Sequence, residues 1–376
     1  MGQSKKRLKI AVILRTPGIE YDDRVRKECI SLSKIADLKL LVAFENNVQE
    51  EGITSYGIPY QSFRLYTRER FRSGRYLLLK ALEFYWKTKK QLKDYDLIWA
   101  HEEYNFLFPV MAKKGKFIWD LHEIPELFDR PILKELFHYI ERRSKVIIHA
   151  NPHRIQYLVE RGMIKTPSKN RSIRNFPDET FINSNLEPPG YNDIKSWLSD
   201  RAYVYLQGIS SPDRYPFNTI ISIMRSTNLK IVVVGSFKNE EIIELLKSEF
   251  GQEFYERIYF TGMINQLATP SIIRNALFSM VFYQTNTPNE RYCEANRFYQ
   301  SLVFGVPVIV GSNEPMAELV EKYQCGIALA SDGIDITAIE KAISKLINSI
   351  DYYKDKTTSI RERLLWSDLS IQNLCY

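Results

Sequence analysis

Cysteine is scarce. Cys29, Cys293, Cys325 and Cys375 are scattered along 376 residues with no CxxC pair. That spacing excludes a disulfide framework and a cysteine zinc site, and fits reduced thiols in a cytoplasmic protein. Long apolar runs are also missing. Nothing approaches the length of a membrane span, and the opening MGQSKKR carries charge where a signal peptide has its apolar core. A cytoplasmic protein is expected, peripheral at the inner face of a membrane at most. The glycine fingerprint GxGxxG of dinucleotide sites does not follow the first strand. His101 and His122 have no cysteine or third histidine at ligand spacing, so neither a metal nor a resident cofactor is expected. No RNP, KH or zinc-finger pattern accompanies the basic residues, and nucleic acid is not expected as a partner.

What is present is a globular composition, 44% hydrophobic and 26% charged, in a chain too long for one typical core and suited to two domains. The net charge of +7 is uneven. Residues 1–190 carry an excess of about ten positive charges, and the rest is slightly negative. One half therefore faces something anionic, such as a membrane surface. The densest basic stretch is 64–93, where Arg64, Arg68, Arg70, Arg72 and Arg75 precede YLLLKALEFYWK. Positions 76–86 fit a helix with one broad apolar face. The segment suits an anionic bilayer, and equally a helix packed on a sheet with a solvated basic flank.

Short apolar runs alternate with helical patterns, at 8–14, 38–44, 96–102, 116–121 and 144–150, then at 203–209, 230–236, 258–263, 276–282 and 305–311. Strand, loop, helix, strand in that rhythm predicts parallel α/β sheets. A polar, breaker-rich stretch to residue 192 places a domain boundary near 185. The expected domains are 1–185, 186–355 and a tail at 356–376. A helix from 318 closed by a glycine cap at Gly326 and an amphipathic helix over 337–347 are also expected. In parallel sheets, polar residues just past a strand face a ligand crevice. His101-Glu102 and His122-Glu123 end two strands in this way, and histidine titrates in the neutral range. Arg24, in a helix that opens with two aspartates, reads either as a solvated helix start or as a site residue.

Residues 292–311, YCEANRFYQSLVFGVPVIVG, resemble the donor-site segment of family 4-like (group 1) glycosyltransferases of the GT-B fold. The resemblance rests on Tyr292, Ala295, Asn296, Arg297, Gln300, Gly305, Pro307 and Val308. Ala295, Arg297 and Gln300 stand where that family often has Pro, Lys and Glu. Arginine keeps the charge and can fork onto two phosphate oxygens, and glutamine keeps an acceptor oxygen for a ribose hydroxyl. Asp22, Arg24 and Val25 resemble the family's helix start, with the Gly18 loop before it. Asp120, His122 and Glu123, with Pro125 and Glu126 behind, resemble its Asp-x-His motif. Gln207, Gly208 and Arg214 resemble its diphosphate loop, with Tyr215 in place of a second glycine.

The resemblance implies two Rossmann-like domains facing a central cleft, with a C-terminal helix crossing back to the first. It implies a donor diphosphate held by Gly208, Arg214 and Arg297, and a nucleotide and sugar held by Met263, Glu294, Asn296 and Gln300. His122 is the implied catalytic residue, and Gly18, Arg24, His101 and Glu123 lie on the acceptor side. The activity implied is that of a hexosyltransferase (EC 2.4). It would move a sugar from a UDP- or GDP-linked donor to a glycan or lipid-linked acceptor in surface polysaccharide or glycoconjugate biosynthesis, with retention and without a metal. Two other readings stay open: a nucleotide-sugar epimerase of the same fold, and a donor-binding protein without turnover.

Overall fold

The computed structural model describes residues 7–71 and 75–376. The expectations placed on the first six residues and on Arg72 lie outside them. The chain divides into two compact units, Met1–Arg174 with Ser367–Tyr376, and Asn175–Trp366.

The first unit is built on an eight-stranded sheet of β1 (Leu8–Thr16), β2 (Ala36–Phe44), β3 (Glu51–Ile53), β4 (Pro59–Ser62), β5 (Leu97–His101), β6 (Phe117–Leu121), β7 (Val146–His149) and β8 (Asn170–Ser172). Their order is β3-β4-β2-β1-β5-β6-β7-β8, parallel except where β3 pairs with β4. The inner strands are apolar on both faces because helices cover both sides. Trp99 and Trp119 are fully buried there. The second unit carries β9 (Tyr203–Gln207), β10 (Lys230–Val234), β11 (Ile258–Gly262), β12 (Phe278–Val281), β13 (Val308–Val310) and β14 (Gly326–Ala328). Their order is β11-β10-β9-β12-β13-β14, and every pairing is parallel. That is the Rossmann order 3-2-1-4-5-6, whose direction of winding reverses between β9 and β12. The first sheet reverses likewise between β1 and β5, and such switch points open a crevice at the carboxyl ends of the strands.

The structure draws the unit boundaries differently from the expected 185 and 356. Phe181 and Ile182 already belong to the core of the second unit, as do Ile360 and Leu364. Only Ser367–Tyr376 returns to the first unit. There Asp368 accepts from Ser31 Oγ at 2.5 Å and pairs with Lys34, while Gln372 Nε2 donates to the Ser31 carbonyl at 3.0 Å.

The expected glycine cap at Gly326 is corrected. The helix Glu314–Tyr323 ends on Gln324 in the left-handed region, at φ 54°. Gly326 instead opens β14, where an added Cβ would stand 1.9 Å from the Val308 carbonyl oxygen. The glycine is required by close strand approach, not by a turn. The helix Ile336–Asn348 buries Ile339, Ala342, Ile343 and Leu346, as its periodicity predicts. No helix among the described residues is long and apolar enough to cross a membrane.

Candidate active site

In the first unit the site residues gather at the carboxyl edge of β5 and β6. His101 is the last residue of β5, and His122 follows β6 directly. Arg24 comes from the helix Asp23–Ser33, which Asp22 caps by accepting from the Val25 N–H at 3.1 Å. Its guanidinium forks onto Asp120, with Nε to Oδ2 at 2.7 Å and Nη2 to Oδ1 at 2.8 Å. Its third nitrogen donates to the Ile173 carbonyl at 2.8 Å. Glu28, one helical turn on, lies 3.1 Å from Arg24 Nε and accepts from Trp99 Nε1 at 2.8 Å. Arg24 is therefore buried in this polar cluster and is not a solvated helix start.

His122 sits between two carboxylates. Its Nδ1 is 2.9 Å from Glu102 Oε1, and its Nε2 is 3.0 Å from Asp120 Oδ2. That second nitrogen is also 3.0 Å from His101 Nδ1. Burial pushes His122 toward neutrality, but Glu102 and then Asp120 outweigh it and hold its pKa well above the ordinary histidine value. Burial likewise opposes the Asp120 charge, yet Arg24 and His122 hold that carboxyl well below the usual range. Glu28 goes the other way, pushed well up by burial and by the Asp120 charge. Burial lowers His101. The cluster thus sets two cations, Arg24 and His122, against two anions, Asp120 and Glu102, while burial favours the neutral form of His101 and pushes Glu28 toward its protonated form.

Glu102 occupies φ 68°, ψ 153°, a region open in practice to glycine alone and costing about 1–3 kcal/mol for other residues. Its carbonyl accepts from Trp119 Nε1 at 2.9 Å and its N–H donates to the Asp120 carbonyl at 2.9 Å. The strain aims its carboxylate at His122. Glu123 is exposed, and Gly18 lies in an extended loop at φ −174°.

Ligand atoms of His101, Asp120 and His122 lie within 4.8 Å of one another. A divalent cation there would meet the Arg24 guanidinium already on Asp120, so the set suits a network of fixed charges and protons better than a metal. Asp96 accepts from the Lys9 N–H at 3.0 Å, at the amino end of β5.

A second cationic group at this sheet edge is new to the structure. Arg15, Arg68 and Lys80 line a small cavity of about 20 Å³ with Tyr104 and Asn105. Glu45 is 3.6 Å from Arg15 and 3.8 Å from Arg68. Burial, then the neighbouring cations Arg68 and Arg15, lowers the Lys80 pKa. The three come from strand, short helix and long helix, so no local spacing announces them.

In the second unit Gly208 follows β9 and Tyr283 follows β12, on the two sides of the switch point. Gly208 adopts φ +59°, and a Cβ there would lie 3.2 Å from Arg214 Nη1 and 3.7 Å from Arg297 Nη1. The two guanidiniums share one aromatic ring, at 5.2 and 4.9 Å from the Tyr283 ring centre. Arg214 Nη1 donates to the Gly208 carbonyl. Arg297, in the first turn of the helix Asn296–Val303, is 7% exposed. Its Nε and Nη2 find no acceptor among the described residues, and neither does Arg214 Nε. Tyr215, in the place of the family's second glycine, keeps the left-handed conformation at φ 49°.

That helix buries more than its apolar spacing predicts. Arg297 and Gln300 face inward with Phe298, Leu302 and Val303, and only Asn296 is exposed. Gln300 is 3% exposed, and its Oε1 finds no donor among the described residues. Asn296 Oδ1 accepts from Asn175 Nδ2 at 2.8 Å. Glu294 is half-buried before the helix, and Met263 is exposed just beyond β11. Gly208, Arg214 and Arg297 therefore come together as expected, with Tyr283 as the member that sequence spacing did not announce.

No protein-family model and no curated protein matches the chain in sequence. Solved structures do match. Sucrose-phosphate synthase from Thermosynechococcus elongatus is 16% identical with a TM-score of 0.74, covering 98% of this chain and 97% of that one. HepE of Anabaena, in complex with UDP-glucose, is 14% identical with a TM-score of 0.70, covering 98% of each chain. The chain has the GT-B fold. WaaG, a glycosyltransferase involved in lipopolysaccharide biosynthesis, extends the likeness at 12% identity and a TM-score of 0.63, over 94% of this chain and 95% of that one. Within the GT-B fold the two Rossmann-like units carry their polar clusters at the same place, the carboxyl edge of a parallel sheet.

Proposed function

We propose that the chain is a hexosyltransferase that moves a sugar from a nucleoside-diphosphate sugar, UDP- or GDP-linked, to a glycan or lipid-linked acceptor in surface polysaccharide or glycoconjugate biosynthesis. The observation that carries this reading is the Arg214–Arg297 pair around Gly208, with buried N–H groups that lack acceptors. Arg297 is buried with no ion-pair partner among the described residues, and half-buried Arg214 has only Asp213, 3.9 Å from its Nε. Burying such charge is costly, and a diphosphate supplies both charge and acceptors through charge-assisted hydrogen bonds. Loss of a nucleoside diphosphate builds negative charge on that group. Two preorganised guanidiniums stabilise the charge without a metal ion. HepE in its complex with UDP-glucose favours a UDP-linked donor.

His122 gives both ring protons to carboxylates, so it serves as a fixed charge that orients Glu102. The partly exposed Glu102 carboxylate then receives a sugar hydroxyl. Arg15, Arg68 and Lys80 take an anionic group of the acceptor. The proposal includes retention of anomeric configuration, departure and attack being served on one face by the same diphosphate. It also includes a working position at an anionic membrane surface.

Thermal-shift screening against UDP, GDP, ADP, CMP and their sugars, with wild type and Arg297→Met, tests the site. One nucleotide at 100 times its Kd raises stability by about 2.7 kcal/mol, and the variant loses that gain. No shift with any nucleotide refutes the donor site. Incubation of the stabilising donor with acceptor glycans then separates the activities. Epimerised free donor would replace transfer by epimerisation, and binding without turnover would leave a donor-binding protein.

A further inference from the structure

At the opposite edge of the first sheet, by the amino ends of β5 and β6, a cavity of about 620 Å³ opens between the helix Leu77–Thr88 and the helix Leu107–Met111. Its wall is apolar, formed by Tyr85, Phe108 and Met111. Its rim carries Lys89, Lys90, Lys93, Lys113 and Lys116, and among the described residues no carboxylate lines it. Volume and apolar lining fall in the range of pockets that enclose a small organic group. Five lysines without an acid select for negative charge.

The helix beside the cavity faces the wrong way for a protein that meets only water. It buries Lys80, Ala81, Phe84 and Thr88, while Leu78, Leu79 and Trp86 are 53%, 43% and 61% exposed. Leu78, Leu82, Trp86 and Lys89 follow one stripe of the helix at spacings of three and four. Lys89 Nζ stands 3.1 Å over the Trp86 ring, which joins the exposed apolar stripe to the lysine rim. An exposed tryptophan beside lysines is the pattern of a membrane interface.

We infer that this cavity is a binding site for one anionic phospholipid of a bilayer, its head phosphate among the lysines and the start of an acyl chain against Tyr85, Phe108 and Met111. The inference rests on the membrane-surface part of the proposed function and adds a single-lipid site to it. The site lies away from His101 and His122, at the other end of the same strands, so it anchors the chain without occupying the reaction edge.

The test uses full-length protein, phosphatidylcholine vesicles with and without phosphatidylglycerol, and soluble short-chain phosphatidylglycerol. Lys93 and Lys113 are exposed, so Lys93→Glu/Lys113→Glu folds as wild type does, checked by circular dichroism. Wild type is expected to sediment with the phosphatidylglycerol vesicles, and the double variant to lose about tenfold or more in affinity. Short-chain phosphatidylglycerol is expected to raise the Tm of wild type but not of the double variant, and glycerol phosphate alone to do nothing. Trp86→Ser is expected to weaken vesicle binding while keeping the short-chain lipid shift. A lipid shift in wild type without vesicle binding supports the pocket and removes the membrane reading. Vesicle binding that survives the double variant overturns the pocket while the membrane reading stands. A shift from glycerol phosphate equal to that from the lipid overturns the lipid as occupant.

Discussion

Asp120→Asn tests the charge network of the first unit most directly. Asp120 is fully buried. Its Oδ2 meets Arg24 Nε at 2.7 Å, His122 Nε2 at 3.0 Å and His101 Nδ1 at 3.3 Å, and its Oδ1 meets Arg24 Nη2 at 2.8 Å. Asparagine has the same shape but one acceptor oxygen, so in either orientation an amide N–H2 confronts a donor. Arg24 and His122 also lose their shared counter-ion. Removing one partner of a buried pair costs about 3–5 kcal/mol. In a unit of this size each kcal/mol moves Tm by about 2–4 °C, so a drop of about 6–20 °C is expected. Calorimetry measures the drop.

The pH dependence has a definite sign. The depressed Asp120 pKa supplies stability that is present above its unfolded value of about 3.9 and is lost as pH falls through the folded one. The raised His122 pKa supplies stability that is fully present below about 6.5 and is lost as pH rises through the folded value. Wild type and variant should therefore differ most between about pH 4 and 6.5, converge as pH falls through the folded Asp120 pKa, and keep at higher pH the part of the difference that comes from Arg24. Adding Arg24→Met to the variant should recover part of the loss, because no uncompensated guanidinium remains. A Tm for Asp120→Asn within about 2 °C of wild type would refute the network as a buried charge pair.

Other consequences follow from single contacts. Glu102→Gln removes the largest influence raising His122, so the imidazole should titrate at lower pH by NMR, and the gain in Tm on going from alkaline to mildly acidic pH should shrink. An unchanged titration would remove Glu102 as its partner. Gly208→Ala places a Cβ 3.2 Å from Arg214 Nη1 at a left-handed position, costing about 1 kcal/mol in stability but about tenfold or more in nucleotide affinity; equal affinity would separate Gly208 from the anion pocket. Arg68→Met relieves repulsion with Arg15 and Lys80, so Tm should rise while KM for an anionic acceptor increases; a fall in Tm would mean that the three cations are already compensated.

Much of the fold was legible because a parallel strand buried on both faces must be written in β-branched and aromatic residues. Ten such runs became the ten strands β1, β2, β5, β6, β7 and β9 to β13. The short strands β3, β4, β8 and β14, at or next to a sheet edge, were not legible. They lack the continuous apolar run that marked the equally short β7, β12 and β13, and Gly326 looked like a helix cap until the Val308 backbone was seen against it.

Site residues divide in the same way. His101 and His122 announce themselves at strand ends, where local sequence and backbone geometry are tied, whereas Arg24, Gly208, Arg214 and Arg297 were marked by the resemblance of their segments to family motifs. Glu102 as the partner of His122, Tyr283 beneath two arginines, and the Arg15–Arg68–Lys80 group do not, because each joins segments distant in the chain. By itself the sequence determined two parallel α/β sheets, the strand ends that bear polar groups, and a basic first half. Only the tertiary structure decided which charges meet, and so which are neutral or ionised, since pKa depends on burial and on neighbours that folding alone brings within a few ångströms.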